Sequence, residues 1–596
     1  MTRRLGVRSA RLAAATLAAC ATIAGAGWSG APAQSDPSNA CPLPYPVSDL
    51  VRDADVTGLT VTHGRTPDQF TGKVLGVLKD GIAPDLDMIL VDVVNPTVDK
   101  AGIWEGMSGS PVYIGDRLVG AVAWGLASGN SSIAGVTPAA EMQNMLSDSS
   151  RPSETALATR VAIPQPMASR LVSTGAATTT QVSAGMRQLR LPFTIGGVSN
   201  ARLSSLARLY RLGRLTGSPT AGSVSTPGAP AEPIVAGGNL VAGMSYGTIT
   251  AAAIGTATMV CNAEVVGFGH PMNFTGTATM TMHNADAITV QDDPTGVGFK
   301  VANIDAPVGT IDQDHQSGIH GVVGETPAES VITSHAVSSG NDRTGTSHVV
   351  VPGIFSQIAF TNVLAMQDRV LDRTGPGAGT ATWDLRGTAD GVPFRLRRTD
   401  VYADPQDISS AIAVTLSDQM SAIEDNGVQD VHFDSLRTDS VLDAPYAKWT
   451  IARAQVWRHG RWRGLYDGSA LRPGHPSSIK VFMTSRQLGS RHVLLHVYVP
   501  AGARHRVGTL TISGGDQDAA SVDDFFSEGF DFAPAPTSTS VQDLVTQFRS
   551  APHHNEVTAT VQFPSARFPG SLPHTGKRAI GQVVGGGFSL QVRGVR

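Results

Sequence analysis

Glu105-Gly106-Met107-Ser108-Gly109-Ser110-Pro111-Val112-Tyr113 is the stretch on which the fold prediction depends. Ser108 stands between two glycines, and a proline and an apolar run follow it, as expected for a serine on a tight turn before a β-strand. Gly106 lets the backbone turn so that its N–H faces the same space as the N–H of Ser108, and two such groups can bind an oxyanion. Residues 112–125 then predict a β-hairpin. By itself the motif fits a Gly/Ser-rich turn of an ordinary β protein equally well.

A second motif, Val265-Val266-Gly267-Phe268-Gly269-His270-Pro271, contains the histidine that best suits a reactive serine. A serine hydroxyl is a weak nucleophile at its ordinary pKa and needs a base within hydrogen-bonding reach. The glycines before His270 allow close backbone approach, and Pro271 favours an extended histidine. His63 is the alternative base, and a histidine packed in a core or a turn is the ordinary structural explanation for His270.

These two motifs and a third stretch at residues 307–321 resemble the SpoIVB serine-peptidase family, as found in long secreted bacterial proteins that carry this domain. The likeness spans residues 45–345. The phrase around Ser108 is also similar to the Gly-Asp-Ser-Gly-Gly-Pro loop of trypsin-like enzymes. The resemblance implies a trypsin-like double β-barrel in which Ser108 is the nucleophile and His270 the general base. The N–H groups of Gly106 and Ser108 would form the oxyanion hole.

The order of the motifs differs from that family. In the sporulation peptidase the histidine segment comes before the serine segment, whereas Ser108 precedes His270 here. The peptidase domain is therefore predicted in permuted order, which a catalytic site tolerates because it depends on spatial geometry rather than on chain order. The PDZ module of the sporulation peptidase has no clear counterpart in this sequence.

Two aspartates are candidates for the carboxylate that would orient the imidazole. Asp87 begins a run similar to the Asp-Ile-Ala-Leu-Leu strand start of trypsin-like proteases. Asp92 lies nearer to the position of the acid in the sporulation family. Because side chains alternate along a strand, the two point to opposite faces, and at most one can reach His270. The resemblance does not decide between them, and both are also explained as solvated acids at a strand end.

Composition and charge narrow the function classes. The chain has 596 residues with 65 glycines, 36 prolines and few charged or aromatic residues, which predicts a mostly β protein of several domains. The formal net charge of −4 and the lack of a basic stripe argue against a nucleic-acid partner. Asp312, Asp314, His315 and His320 match no standard metal-site spacing, so neither a metal nor a cofactor is predicted.

The N-terminal residues predict export. Arginines and an alanine-rich apolar run precede an A-x-A cleavage site at Ala31-Pro32-Ala33, so a secreted or extracytoplasmic protein is expected. A lipoprotein tether at Cys20 is the minor alternative. Cys41 and Cys261 remain after cleavage, and an oxidising compartment favours a disulfide between them over two separate buried thiols. No later run is long and apolar enough to predict an integral membrane span in the mature chain.

The predicted organisation follows from these motifs and from the turn-rich stretches between them. It comprises a signal peptide (1–33), a serine-bearing half of the peptidase domain (34–149), a connecting segment with a flexible linker (150–236), a histidine-bearing half (237–347), a β-rich accessory domain with one helix (348–440), an Ig-like β-sandwich (441–515) and a C-terminal β-rich segment (516–596). A short helix is predicted to begin at Thr137-Pro138, and a longer one to run from Asp404-Pro405 to Asn426-Gly427.

The sequence thus predicts a secreted serine endopeptidase that cleaves extracytoplasmic proteins or peptides through an acyl-enzyme on Ser108. The alternative is a catalytically inactive binding protein of the cell envelope or the extracellular space, built on the same scaffold, with a partner held by the C-terminal β domains. Geometry separates the two. A peptidase needs the Ser108 hydroxyl near a ring nitrogen of His270 and a solvent-open cleft beside them.

Overall fold

The chain folds mainly into β-sheets, and the computed structural model describes residues 41–147, 160–199, 202, 220–222, 232–293, 297–516, 540–563 and 573–595. The predicted signal peptide, with Cys20, and most of the predicted linker lie outside these residues. Within the described ranges, no helix combines the length and the apolar character needed to cross a membrane. The prediction of a mostly β protein is confirmed.

Six strands near the beginning of the chain close into an antiparallel barrel. They are β1 (Asp55–Thr60), β2 (Asp68–Ala83), β3 (Leu86–Val94), β4 (Pro111–Ile114), β5 (Arg117–Leu126) and β6 (Ile133–Pro138), with helices α1 (Pro96–Ala101) and α2 (Ala139–Gln143) beside them. Around this first barrel the order is β1, β2, β3, β6, β5, β4 and back to β1.

Strand β3 shows why the first barrel forms where it does. Side chains alternate along a strand, so Ile89, Val91 and Val93 face the barrel interior. Met88 and Leu90 face outward and pack against the helical residues that follow the barrel. Because both faces are buried, this strand has the nearly continuous apolar run that the sequence shows.

The predicted short helix begins one residue later than expected. Thr137 and Pro138 end strand β6, and α2 begins at Ala139 with no side-chain cap. The hydroxyl of Thr137 donates instead to the carbonyl oxygen of Gly269, at 2.6 Å. A tertiary contact with the His270 loop therefore takes the group that would have capped the helix.

Short elements connect the first barrel to the next one. They are β7 (Arg160–Val161), α3 (Gln165–Ser173), α4 (Thr179–Ala184), β8 (Met186–Gln188), β9 (Phe193–Gly196) and β10 (Thr220–Gly222). Strand β8 pairs with β5, and β9 pairs with a strand of the second barrel, so the stretch between them passes from one barrel to the other.

A second antiparallel barrel repeats the strand order of the first. Its strands are β11 (Asn239–Gly247), β12 (Thr250–Cys261), β13 (Glu264–Gly267), β14 (Gly276–Gln291), β15 (Phe299–His315) and β16 (Gly318–Val323). The order around the ring is β11, β12, β13, β16, β15, β14 and back to β11. Cys261, at the end of β12, is joined to Cys41 by a disulfide. The bond ties the start of the described chain to the strand that precedes β13.

The sheet of the second barrel continues into a layer covered by helices. The added strands are β17 (Ser330–Ser338), β18 (Asn341–Val349), β19 (Gly377–Ala389), β20 (Val392–Asp404) and β21 (Val431–Ala444), and the helices are α5 (Phe355–Leu371) and α6 (Ile408–Glu424). The sequence predicts one helix here, and the structure has two. Helix α6 begins after Asp407, whose carboxylate caps the Ser410 N–H, rather than at Asp404-Pro405.

The C-terminal strands form two five-stranded sheets that share one hydrophobic core. The strands are β22 (Lys448–Arg458), β23 (Arg461–Gly464), β24 (Ser469–Leu471), β25 (Pro476–Ser485), β26 (Gly489–Tyr498), β27 (Val507–Gly514), β28 (Glu556–Gln562), β29 (His574–Ala579), β30 (Val583–Gly585) and β31 (Gly587–Gly594), with helix α7 (Val541–Ser550) between β27 and β28. Strands β28 to β31 thus belong to the same two sheets as β22 to β27, whereas the sequence analysis assigns them to a separate segment beginning at residue 516.

Candidate active site

The Ser108 turn lies where the two barrels meet. The N–H of Thr256, on β12, donates to the Ser108 carbonyl at 2.8 Å, and the Thr256 hydroxyl donates to the Gly106 carbonyl at 3.1 Å. The hydroxyl of Thr258 donates to the Gly109 carbonyl at 2.8 Å. The first barrel supplies the serine, and a strand of the second barrel holds the turn in place.

Glycine at position 109 is required by this contact. A methyl group there would overlap the Thr256 carbonyl oxygen and would lie 2.6 Å from the Phe268 nitrogen, and the φ angle of Gly109 is +96°. Its N–H donates to Val122 on β5 at 2.7 Å. The residue after Ser108 therefore touches the strand that leads to His270, through a space that no side chain could occupy.

The turn presents two N–H groups without acceptors. Gly106 has a φ of +96°, which favours glycine, and within the described part of the chain neither its N–H nor that of Ser108 has a hydrogen-bond acceptor. The next two N–H groups of the turn are both bonded, Gly109 to Val122 and Ser110 to Met107. The pair that the sequence assigns to an oxyanion hole therefore has the donors such a site needs.

The His270 loop is bent toward the first barrel. Phe268 and Gly269 both have left-handed backbone angles, with φ of +67° and +69°. A methyl group at Gly269 would lie 3.1 Å from Cβ of Ala121 on β5. On the other side, the buried carboxylate of Asp314 accepts the N–H of Met272 at 2.8 Å, and so holds the chain that follows the histidine. A buried phenylalanine in a left-handed conformation stores strain that the surrounding packing must stabilise.

The environment of His270 keeps the imidazole neutral with one basic nitrogen free. Its Nδ1 lies 2.8 Å from the Pro271 carbonyl oxygen and 2.9 Å from the Gln188 side-chain amide. Since a carbonyl only accepts, the hydrogen bond to Pro271 places the proton on Nδ1, and the Gln188 amide nitrogen donates to the same carbonyl at 3.4 Å. Burial lowers the pKa of His270 to about 4, and the Pro271 hydrogen bond opposes this effect. The Nε2 atom keeps its lone pair, as a general base requires.

Ser108 Oγ and His270 Nε2 are buried, and neither atom has a partner among the described residues. Ser108 is 0% exposed and His270 is 1% exposed, and neither Ser108 Oγ nor His270 Nε2 has a hydrogen-bonding partner in the described chain. Their loops are in contact through Gly109 and Phe268, but the two atoms are not hydrogen bonded to each other. The site therefore brings the loops together and stops short of the hydroxyl–imidazole hydrogen bond of a working peptidase.

Neither predicted carboxylate contacts the histidine, which corrects the assignment of Asp87 and Asp92. Asp87 pairs with Lys79 at 2.7 Å, and Asp92 accepts from the Ser132 hydroxyl at 2.6 Å. The Nδ1 atom of His270 is instead satisfied by its neighbour's carbonyl. The alternative base, His63, is exposed and makes no hydrogen bond to Ser108.

Lys300 is a buried group at this site that the sequence analysis missed. Its Cβ and Cε lie 2.9 and 3.7 Å from the position that a Gly106 side chain would take, so the lysine passes directly behind the turn. Its Nζ donates to Asn239 Oδ1 at 2.9 Å. Burial lowers the pKa of Lys300 to about 7, so the ammonium is partly deprotonated at neutral pH.

Gln188 and Leu189 are two further site residues, and both come from the part that the sequence analysis treats as a connecting segment. Leu189 is 2% exposed and packs in the same apolar cluster as Ile103, Trp104 and Met107, the residues that flank the serine turn.

Among the described residues, no group of histidine, cysteine, aspartate and glutamate side chains has the arrangement of a metal site.

No family model, no curated protein and no solved structure matches the chain. The likeness to the SpoIVB family therefore stays a prediction from three motifs. What the chain does has to be argued from the geometry of the Ser108 site.

Replacing Ser108 by alanine is expected to leave the free energy of unfolding unchanged or to raise it by about 1 kcal/mol, because the buried hydroxyl has no partner to lose. Ser110→Ala is the matched control, since the Ser110 hydroxyl is equally buried but donates to Thr60 Oγ1 at 2.9 Å. That change should lower stability by about 1 to 2 kcal/mol. Urea unfolding of both variants measures the difference, and an equal loss in both would contradict an unpartnered Ser108.

Proposed function

We propose that this protein is a serine endopeptidase of the SpoIVB type, with a trypsin-like pair of barrels in permuted order, Ser108 as nucleophile and His270 as general base. The observation that carries the proposal is one of geometry. Two six-stranded antiparallel barrels of one strand order meet at a turn that bears a serine and two acceptor-free N–H groups. That turn lies against the loop of a neutral, buried histidine.

The proposed reaction uses the atoms of this site in sequence. His270 Nε2 takes the proton of the Ser108 hydroxyl as Oγ attacks the peptide carbonyl, whose oxygen becomes negative and accepts from the N–H groups of Gly106 and Ser108. The C–N bond then breaks, the imidazolium returns its proton to the leaving amine, and water releases the acyl group by the same route. A neutral carbonyl, that of Pro271, supports the imidazolium in place of a carboxylate.

Lys300 is another group in the region that can accept a proton at neutral pH. Its Nζ is directed to Asn239, and it makes no hydrogen bond to Ser108 Oγ. Because His270 Nε2 is a free acceptor and Lys300 Nζ is engaged as a donor, the base is assigned to the histidine. A positive charge on Lys300 behind Gly106 would add to the stabilisation of an oxyanion on the other side of the turn.

In this proposal the substrates are extracytoplasmic proteins or peptides, since the predicted signal peptide exports the chain. The C-terminal sandwich, predicted to be Ig-like, is proposed to bind a partner in the cell envelope. Its exposed strands carry aromatic and basic side chains, among them Trp457 and Trp462 in edge-to-face contact. No cofactor takes part in the proposed reaction.

A catalytically inactive binding protein is the second candidate function. The observation that favours it is the closed site, where both reactive atoms are buried and are not hydrogen bonded to each other. The two functions differ in what they require of Ser108. A peptidase needs an activated hydroxyl that solvent-borne reagents reach at least transiently, and a binding protein does not.

The test is covalent labelling by a fluorophosphonate, which reacts with activated serines. The full chain and Ser108→Ala are incubated with the probe, and the adduct is located by peptide mapping with mass spectrometry. A peptidase is labelled on Ser108, slowly because the site is buried, and Ser108→Ala is not labelled. No adduct on Ser108, either in the natural chain or in the Leu189→Ala variant that truncates a side chain of the apolar cluster flanking the turn, would contradict the proposal.

A further inference from the structure

Residues 186–196 cross the part of the molecule that contains Ser108 and His270. Strand β8 lies antiparallel on β5, with Gln188 opposite Trp124 and Arg187 opposite Gly125. The pairing extends one residue further, since the Leu189 N–H donates to the Ala123 carbonyl at 2.9 Å. Strand β5 comes directly after the Ser108 turn and its short strand β4, so an extended peptide is bound next to the serine by main-chain hydrogen bonds.

The same segment continues onto the second barrel. The N–H of Ile254, on β12, donates to the Pro192 carbonyl at 3.2 Å, and β9 then pairs with β12. Between these two contacts the chain passes the Ser108 turn, where Pro192 Cγ lies 3.4 Å from the position that a side chain at Gly106 would take. The segment therefore spans the junction of the barrels, with the serine turn beneath it.

The side chains of this segment contact the functional groups in strand alternation. Gln188 points to one side and reaches His270 Nδ1 at 2.9 Å. Arg187 and Leu189 point to the other side. The Arg187 guanidinium lies 3.9 Å from Glu105, whose pKa burial raises to about 7 against the opposing effect of Arg187. The Cδ2 atom of Leu189 lies 3.4 Å from the position that a side chain at Gly125 would take, beside Ile103.

We propose that residues 186–192 fill the peptide-binding groove of the Ser108 site as an internal ligand, and that the groove selects extended peptides with a leucine-sized apolar side chain beside the serine turn. The inference rests on the proposed function in that it takes Ser108 and His270 as the reactive pair. Main-chain pairing supplies the affinity, and the pocket for an alternate side chain supplies the specificity, as in other cases where a peptide adds a strand to a sheet.

The size preference follows from how Leu189 fills its pocket. The space left beside Leu189, between Ile103, Gly125 and Arg187, amounts to about 10 Å³, which is no more than one water molecule needs. A larger side chain such as phenylalanine would have to displace the wall of the pocket, and a smaller one would leave a void. A carboxylate in place of the leucine side chain would lose its hydration against the apolar cluster of Ile103, Trp104 and Met107.

The occupied groove also accounts for the closed state of the reactive pair. The Gln188 amide nitrogen lies 2.9 Å from His270 Nδ1, and Pro192 lies against the turn at Gly106. Leu189 packs in the apolar cluster that includes Met107. A substrate peptide would compete with this segment for the same main-chain groups of β5. The apparent affinity for an added peptide is therefore reduced by the fraction of molecules in which the segment has left the groove.

The experiment opens the groove and measures peptide binding and labelling separately. The binding probe is a fluorescein-labelled synthetic peptide with the sequence of residues 185–192, Gly-Met-Arg-Gln-Leu-Arg-Leu-Pro. Binding is measured by fluorescence anisotropy in Ser108→Ala and in Ser108→Ala with Leu189→Ala. Fluorophosphonate labelling is measured in the natural chain and in Leu189→Ala. Leu495→Ala is the matched control, because it truncates an equally buried leucine in the core of the C-terminal sandwich, a cluster that contains no residue of the segment or of β5.

The chain with both Ser108→Ala and Leu189→Ala should bind the peptide about tenfold or more tightly than the chain with Ser108→Ala alone. The probe should label Ser108 in Leu189→Ala about tenfold or more rapidly than in the natural chain. A peptide with aspartate in place of its central leucine should not bind. Equal peptide affinity in the two Ser108→Ala chains, or the same gain in Leu495→Ala, would overturn the inference. Should Leu189→Ala fail to fold by circular dichroism, Gln188→Ala replaces it, since this half-buried side chain leaves a smaller void.

The two proposals fail in different ways. Peptide binding by the opened chain without labelling of any chain supports the internal ligand and contradicts the peptidase. Labelling of Ser108 at the same rate in the natural chain and in Leu189→Ala, without peptide binding, supports the peptidase and contradicts the internal ligand.

Discussion

Replacing His270 by alanine is expected to slow fluorophosphonate labelling of Ser108 by about 10² to 10⁴-fold, the usual contribution of a general base. The effect is measured in the Leu189→Ala background, so that access to the buried serine does not limit the rate. The reason is that, within the described residues, His270 Nε2 is the free nitrogen acceptor on a loop in contact with the serine turn. Labelling rates are followed by mass spectrometry.

Three variants serve as controls for this result. His63→Ala, Asp87→Asn and Asp92→Asn should each change the labelling rate by less than about twofold, because none of these side chains contacts Ser108 or His270. An unchanged rate in His270→Ala would contradict the assignment of the base, and a large loss in either aspartate variant would restore that residue as a partner of the imidazole.

The pH dependence of the labelling rate should reflect the protonation of His270. Burial lowers the pKa of His270 to about 4 in the closed chain. Opening the groove admits water, so in Leu189→Ala this pKa should return toward its ordinary value of about 6.5. Labelling of that variant should therefore fall as the pH drops through about 6.5, since protonation of Nε2 removes the base, and His270→Ala should lack this fall.

Gly109→Ala is expected to lower the free energy of unfolding by about 3 kcal/mol or more. The added methyl group would overlap the Thr256 carbonyl oxygen and press on the Phe268 nitrogen, so the serine turn and the strand of the second barrel must separate. The positive φ of Gly109 adds a further cost for any L-residue. Urea unfolding measures the loss, and labelling of Ser108 should fall with it.

Gly115→Ala is the matched control for the contact. Gly115 also has a positive φ, +62°, but no atom lies within 4 Å of the position its side chain would take. Alanine there should cost about 1 to 2 kcal/mol, from backbone strain alone. Equal losses in the two variants would mean that the barrels do not meet at Gly109.

The sequence predicts the two reactive loops because each has a local signature. A serine between glycines before an apolar run predicts the turn at Ser108, and a Gly-His pair after a strand predicts the loop at His270. Their contact depends on the closure of two barrels and on the small size of Gly109. No local pattern encodes either of these, and the resemblance to a known family supplied the link.

The acid, the lysine and the internal ligand could not be predicted in the same way. The aspartates were chosen from strand similarity, but the Pro271 carbonyl already satisfies His270 Nδ1, so the ring needs no carboxylate. Lys300 lies in an unremarkable stretch, and its burial arises when β15 passes behind Gly106. Gln188 and Leu189 belong to a region with weak signals, and tertiary pairing with β5 decides their conformation.

Helices α5 and α6 differ in the same way in how far their local sequence predicts them. Helix α6 was predicted because apolar residues recur on one face. Helix α5 was missed because it is buried on nearly every side, so its sequence lacks a polar face that would reveal the helical period. The C-terminal strands were separated from the sandwich because their pairing with β22 and β27 joins residues far apart in the chain.

A crystal structure of the Leu189→Ala chain after reaction with the fluorophosphonate tests the central claim most directly. The account predicts the phosphorus on Ser108 Oγ, a phosphonyl oxygen that accepts from the N–H groups of Gly106 and Ser108, and His270 Nε2 within about 3 Å of Oγ. An adduct on another residue would contradict it. So would a Ser108 adduct whose oxygen faces away from both N–H groups while the imidazole stays out of reach.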